Sequence, residues 1–145
     1  MRSIYQTIGA FILISWSSIS LAHEGATGII KERMERFKEN KEGMKVIKGN
    51  LGKDTTVIAQ KASEIETWAN EMANFFPEGS NKAPSEALSA IWTNFKDFKA
   101  KAVANAKAAS DVKKLAQSGA DESALIKGFK ALGKTCKDCH NDYKE

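Results

Sequence analysis

Near its C-terminal end the chain carries Cys136-Lys137-Asp138-Cys139-His140, and these are its only two cysteines. Two thiolates three apart on a helix lie on nearly one face, where both can bond to the vinyl-derived carbons along one edge of a porphyrin. The adjacent imidazole then projects beneath the iron. The chemistry this spacing predicts is covalent haem attachment, with Cys136 and Cys139 as thioether positions and His140 as the axial metal ligand.

Two rival chemistries use the same residue types. A structural zinc site wants four Cys or His ligands, whereas beyond this motif the chain offers only His23, at the other end. A redox dithiol of the CxxC kind usually opens a helix that follows a strand. Here the pair sits late in an Ala- and Lys-rich segment of helical character with no strand signal before it.

The N-terminal segment points to the compartment. Arg2 precedes an apolar stretch from Ile8 to Ile14 that continues through Trp16 and Ile19, and Ser20-Leu21-Ala22 places small residues where a signal peptidase reads. Residues 1–22 are therefore expected to be a cleaved export signal and residues 23–145 a single domain in the periplasm, with no membrane span in the mature protein. Serines at positions 15, 17, 18 and 20 interrupt the apolar stretch and weaken the alternative of a retained anchor. Export suits the motif, because a free CxxC pair outside the cytoplasm tends to oxidise.

Without Arg2 the remaining 21 Lys and Arg face 18 Asp and Glu, a formal charge of +3. Two haem propionates would reduce that to about +1 near neutral pH. Lysines alternate with acids and form no basic stripe, so no nucleic-acid partner is expected.

Apolar spacing predicts four helices that must position the motif. The first runs from about Gly28 to Gly49, with Ile30, Met34, Phe37, Met44, Ile47 and then Leu51 recurring at three, four or seven. The second spans about Asp54 to Phe76, with Ile58, Ala62, Ile65, Ala69, Met72 and Phe76 in four-three alternation. Phe76-Pro77-Glu78-Gly79-Ser80 closes it, because proline cannot continue a helix. Pro84 is expected in the first turn of a third helix carrying Leu88, Ile91, Phe95, Phe98 and Ala102 towards Ser118, with Ser110-Asp111 as the place for a kink or division. Gly119 reads as its stop and Asp121 as the cap of the fourth. Along that fourth helix Leu125, Phe129, Leu132, Cys136, Cys139 and Tyr143 keep the four-three spacing, which puts both thioether positions on the buried seam. The expected fold is all-α, an antiparallel up-down-up-down four-helix bundle with covalently attached haem inside it.

With a haem motif at the C-terminal end, an export signal, four amphipathic helices and Ile30-Lys31-Glu32-Arg33 opening the first, the chain resembles the class II cytochromes c, specifically the cytochrome c prime family. The likeness rests on Arg33 to Lys38, the Phe76-Pro77-Glu78-Gly79 turn, Ile91-Trp92 with Phe95 or Phe98, and Cys136 to Lys144. It implies one haem c, attached through Cys136 and Cys139. Low-spin members place a methionine four residues after an arginine on the first helix; counting four from Arg33 gives Phe37, which cannot donate to iron. The resemblance thus implies a five-coordinate, high-spin iron with His140 on one side and the Phe37 ring over the other. It also implies that Arg33 pairs with a propionate, and that Lys144 stands near the proximal face where relatives often have arginine, without that residue's planar fork. Some members pair as homodimers through their first two helices, and others are monomers.

Met34 is the nearest methionine to Phe37, one turn or roughly 4.5 Å along the axis, and is the leading candidate should a sixth ligand exist; Met44 and Met72 follow. Trp68 and Trp92 are expected to pack in the bundle or at a subunit contact. An apolar distal side favours nitric oxide or carbon monoxide over oxygen, because bound oxygen carries partial negative charge that a distal donor would have to stabilise. The alternative function is that of a low-spin His/Met electron carrier serving a redox partner protein. A peroxidase would need distal acid–base groups that the first-helix stripe lacks, so no enzymatic activity is expected.

Overall fold

The computed structural model describes residues 26–145; the expected export signal over residues 1–22, and His23, lie outside them. Four long helices make the bundle. Helix α1 is Gly28–Asn50 and α2 is Thr55–Glu71, which tightens into a 3-10 turn at Met72–Phe75 before Phe76-Pro77 ends it. After a long loop come a single turn α3, Ala90–Thr93, then α4, Phe95–Gln117, and α5, Glu122–Tyr143. Among the described residues the only β pairing is an isolated bridge between Ala87 and Lys144.

Local signals explain most boundaries. Asp54 caps α2, its Oδ1 accepting from Thr56 N–H at 2.9 Å and Val57 N–H at 3.1 Å, and Asp121 caps α5 by accepting from Ala124 N–H at 2.8 Å. Gly119 terminates α4 with φ +69°, a left-handed backbone that glycine adopts without a Cβ penalty.

The third helical segment departs from expectation in two places. Pro84 does not open a helix: it follows a cis peptide bond in the 76–89 loop, and helix begins only at Ala90. That loop is tied to the end of the chain, with Leu88 N–H donating to Tyr143 O at 3.0 Å and Glu145 N–H to Glu86 O at 3.0 Å. Those backbone groups are therefore spent on tertiary partners rather than on a helical ladder. The division falls at Asn94 (φ −121°, ψ 39°) and not at Ser110-Asp111. There the helix runs on, and Asp111 pairs with Lys107 one turn earlier at 2.7 Å.

The core has two chemically different ends. At one, Ile47, Ile58, Ile65, Val112, Leu125 and Leu132 interlock around Ala62, Ala109 and Ala116 in an aliphatic cluster. At the other, Trp68, Phe76, Phe98 and Tyr143 pack with Met72 and Ile91, joined by half-buried Phe37, Phe75, Trp92, Phe95 and Cys139. The alanines let the helices approach closely; a Cβ on Gly128 of α5 would already stand 3.0 Å from Leu115 Cδ1 of α4. The aliphatic end should behave as the structural half. Leu132→Ala, at a fully buried position, is expected to cost about 2–5 kcal/mol in chemical unfolding. Haem content should stay unchanged, and a loss of haem with that substitution would show that the two ends are not independent.

Candidate haem site

The chemistry-bearing residues converge on the aromatic end. α5 brings Cys136, Cys139 and His140 there, and α1 brings Arg33 and Phe37. Both cysteines are free thiols, partly buried. Burial pushes both upward from the ordinary thiol pKa, Cys139 to about 11, so neither is a ready thiolate at neutral pH. A reactive redox dithiol is shifted the other way. Among the described residues no cluster of three or more His, Cys, Asp or Glu side chains could hold a metal ion, so the zinc reading has no support there.

His140 lies on the exposed side of α5, and its pKa is lowered, first by partial desolvation and then by the Lys144 charge, with Glu86 opposing. A neutral imidazole is the form that can ligate iron. Lys144 itself stands just past the helix end, its Nζ 2.6 Å from a Glu86 carboxylate oxygen and 3.0 Å from Glu145 O. It therefore reaches the His140 imidazole through its charge, while its hydrogen bonds go to the neighbouring loop and chain end.

Phe37 packs edge-on against Trp68 and Phe76, with ring centroids 5.4 and 6.3 Å away. Met34 belongs to neither core cluster, Met44 packs on the aliphatic one, and Met72 is buried in the aromatic one. Met72 thus shares a cluster with Phe37 and Cys139, and Met34 does not.

Arg33 is where the structure adds most. It is only 2% exposed. Its Nη1 donates to Phe75 O at 3.1 Å and Ser80 Oγ at 2.7 Å, and its Nη2 donates to Ser80 O and to Ser85 Oγ at 2.6 Å. The guanidinium also stands 4.3 Å above the centroid of the Phe76 ring. All four terminal N–H bonds are spent on the 75–85 loop, leaving only Nε–H for any propionate.

Sequence reasoning passed over Asn105 of α4. Its Nδ2 donates to Thr135 Oγ1 at 2.8 Å and approaches Cys136 Sγ at 3.5 Å, bracing one attachment position from the facing helix. The available signal was a polar amide on an apolar stripe, three residues after Ala102 and four before Ala109. Tyr143, which donates its hydroxyl to Asp97 Oδ2 at 2.7 Å, similarly anchors the end of α5 to the start of α4.

Comparison with known proteins shows the family. The sequence profile described as Cytochrome C' matches residues 28–144. The chain belongs to the cytochrome c' family. Cytochrome c' of Pararhodospirillum photometricum is 32% identical over 120 residues, covering 80% of this chain and 95% of the relative. Cytochrome c-556 of Agrobacterium fabrum is 35% identical over 118 residues, covering 73% and 79% respectively. Among solved structures, cytochrome c prime from Shewanella frigidimarina superposes with a TM-score of 0.73 at 27% identity, over 81% of this chain and 94% of that one.

Cytochromes c' are haem proteins, and the residues here fit that group. The donor set is two thiols and one imidazole on one helix. Around it stand flat aromatic side chains of the kind that pack a porphyrin, and the Trp68 indole Nε1 is buried without any hydrogen-bond partner. α1 packs on α2 and scarcely on α5, so the helix carrying Phe37 is not closed onto the one carrying the cysteines. A separate groove of about 770 Å³ runs between α1 and α2, lined by Glu35, Glu39, Gly43, Val46, Glu64 and Trp68 among others, and none of the haem-motif residues lines it.

Proposed function

We propose that this member of the cytochrome c' family holds one covalent haem c through Cys136 and Cys139, with His140 as the only protein ligand to iron. In this reading it binds nitric oxide or carbon monoxide on the Phe37 side. When bound, the haem supplies an iron that changes oxidation state and can accept a small ligand. The protein's residues set the conditions. Cys136 and Cys139 fix the ring to α5, His140 donates from one face, and Phe37, held by Trp68 and Phe76, screens the other by size. The observation that carries the reading is Phe37 itself, an aromatic ring without donor atoms, in the cluster that also contains Cys139. A binder or electron carrier follows from this rather than an enzyme, because general acid–base catalysis needs a proton-transfer group within reach of the reacting ligand.

The attachment motif, with the leader expected over residues 1–22, supports the periplasm as its place of work. Among the described residues no helix is long and apolar enough to cross a membrane.

An electron-carrier reading has one observation in its favour. Met72 is buried in the same cluster as Phe37 and Cys139, so a thioether is close enough in the fold to be considered as a sixth ligand. Optical spectra separate the two. The purified ferric protein is expected to be high-spin, and the ferrous protein to take up nitric oxide readily. Phe37→Met is expected to drive the iron towards six-coordination with a methionine-to-iron band. A wild-type protein that already shows that band and a low-spin spectrum would overturn the gas-binding reading in favour of electron transfer. No spectral change in Phe37→Met would remove Phe37 from the iron's distal side.

A further inference from the structure

Between Lys101 and Ser110 of α4 every residue is alanine, valine or lysine except Asn105. An asparagine lowers helix propensity there, and alanine would serve the helix better. Its inward neighbours Ala102, Ala106 and Ala109 are buried. Asn105 does what alanine cannot. Its Nδ2 carries two N–H bonds and has two acceptors on α5, Thr135 Oγ1 at 2.8 Å and Cys136 Sγ at 3.5 Å. Thr135 donates its own hydroxyl proton to Leu132 O at 2.7 Å, so its oxygen is left to accept from Asn105 and fixes where the amide points.

The other sulfur stands differently. Cys139 packs against the aromatic cluster, and among the described residues only Cys136 Sγ takes a hydrogen bond from a side chain of another helix. The two attachment positions are therefore not equivalent, although the CxxC spacing treats them alike.

Thioether formation adds a cysteine S–H across a vinyl double bond. Sulfur bonds the carbon next to the ring, the proton goes to the terminal carbon, and no oxidant or reductant is consumed. The sulfur must be aimed before that bond can form, and a cysteine free to change χ1 is aimed only part of the time. We infer that Asn105 is the positioning residue for the Cys136 thioether, its amide holding the sulfur from the facing helix while Cys139 is oriented by apolar packing alone. The contact outlasts the reaction, because a thioether sulfur remains a weak acceptor. The inference rests on the haem reading proposed above.

The test uses the exported protein. Alkylation of open thiols under denaturing conditions, followed by peptide mapping, shows which cysteine lacks its haem bond. Wild type is expected to have both closed. Asn105→Leu keeps the bulk without a donor, and Asn105→Asp keeps the shape without the N–H bonds. Each should raise the share of exported chains alkylated at Cys136 severalfold, with Cys139 closed, and move the pyridine haemochrome band towards that of singly attached Cys136→Ala. Leu132→Ala, one turn earlier on α5, lowers stability without touching the amide and should leave both cysteines closed. Both thiols closed in the two Asn105 variants overturns the assignment, as does a wild type already open at Cys136. Opening shared equally between Cys136 and Cys139, or the same opening in Leu132→Ala, also overturns it by reducing the effect to general stability. Wild-type protein without covalent haem would instead overturn the haem reading itself, and this inference with it.

Discussion

Replacing both Cys136 and Cys139 by alanine is expected to give a chain that loses all its haem on denaturation, where the unaltered chain keeps one haem mass. The single variants Cys136→Ala and Cys139→Ala should each retain one thioether link, and so carry the haem mass with altered optical bands. The double change should also cost stability, because the haem proposed at the aromatic end would no longer pack against it. Intact mass under denaturing conditions decides the matter. A wild-type mass equal to that of the bare polypeptide, with both thiols open to alkylation, would dismiss covalent haem altogether.

The second large effect concerns Arg33. Arg33→Met keeps the length of the apolar stem but removes a guanidinium that satisfies two serine hydroxyls and two backbone carbonyls, three of the four contacts reaching 47 or more residues along the chain. Each buried polar group left without a partner costs about 1–3 kcal/mol. Because the losses are not additive, the expected total is about 3–5 kcal/mol, comparable to breaking a buried ion pair. The denaturation midpoint should fall with little change in slope, and amide exchange in the 76–89 loop should speed up more than in α4. Arg33→Lys should recover only part of this, since an ammonium cannot reproduce the fork that spans Phe75, Ser80 and Ser85. A haem-loaded Arg33→Met protein as stable as the wild type would show that the loop is held by other contacts.

Both effects separate what was readable along the chain from what was not. Helix positions were legible because their causes are local. Asp54 and Asp121 cap, Gly119 stops, and four-three spacing continues through Cys136, Cys139 and Tyr143. The third segment was misread where its causes are distant. Pro84 looked like a helix opener, but the loop around it spends backbone groups on Tyr143, Glu145 and Arg33. Ser110-Asp111 looked like a break, yet Asp111 pairs with Lys107 one turn earlier and the helix runs on whole. Met34 stood nearest Phe37 in sequence, while Met72 is the methionine buried in the cluster that Phe37 packs against.

The amino-acid order alone determined the fold class and pointed to the attachment chemistry proposed above. Helical periodicity and a CxxCH run act over three or four residues, and such spacing survives whatever the rest of the chain does. Only the tertiary structure decided which arginine of α1 clamps the loop, which methionine shares a cluster with Phe37, and which indole is left without an acceptor. A guanidinium or an N–H takes its partner from whatever segment the fold brings within about 3 Å. For Arg33 those partners lie 42 to 52 residues away, beyond the reach of any local pattern.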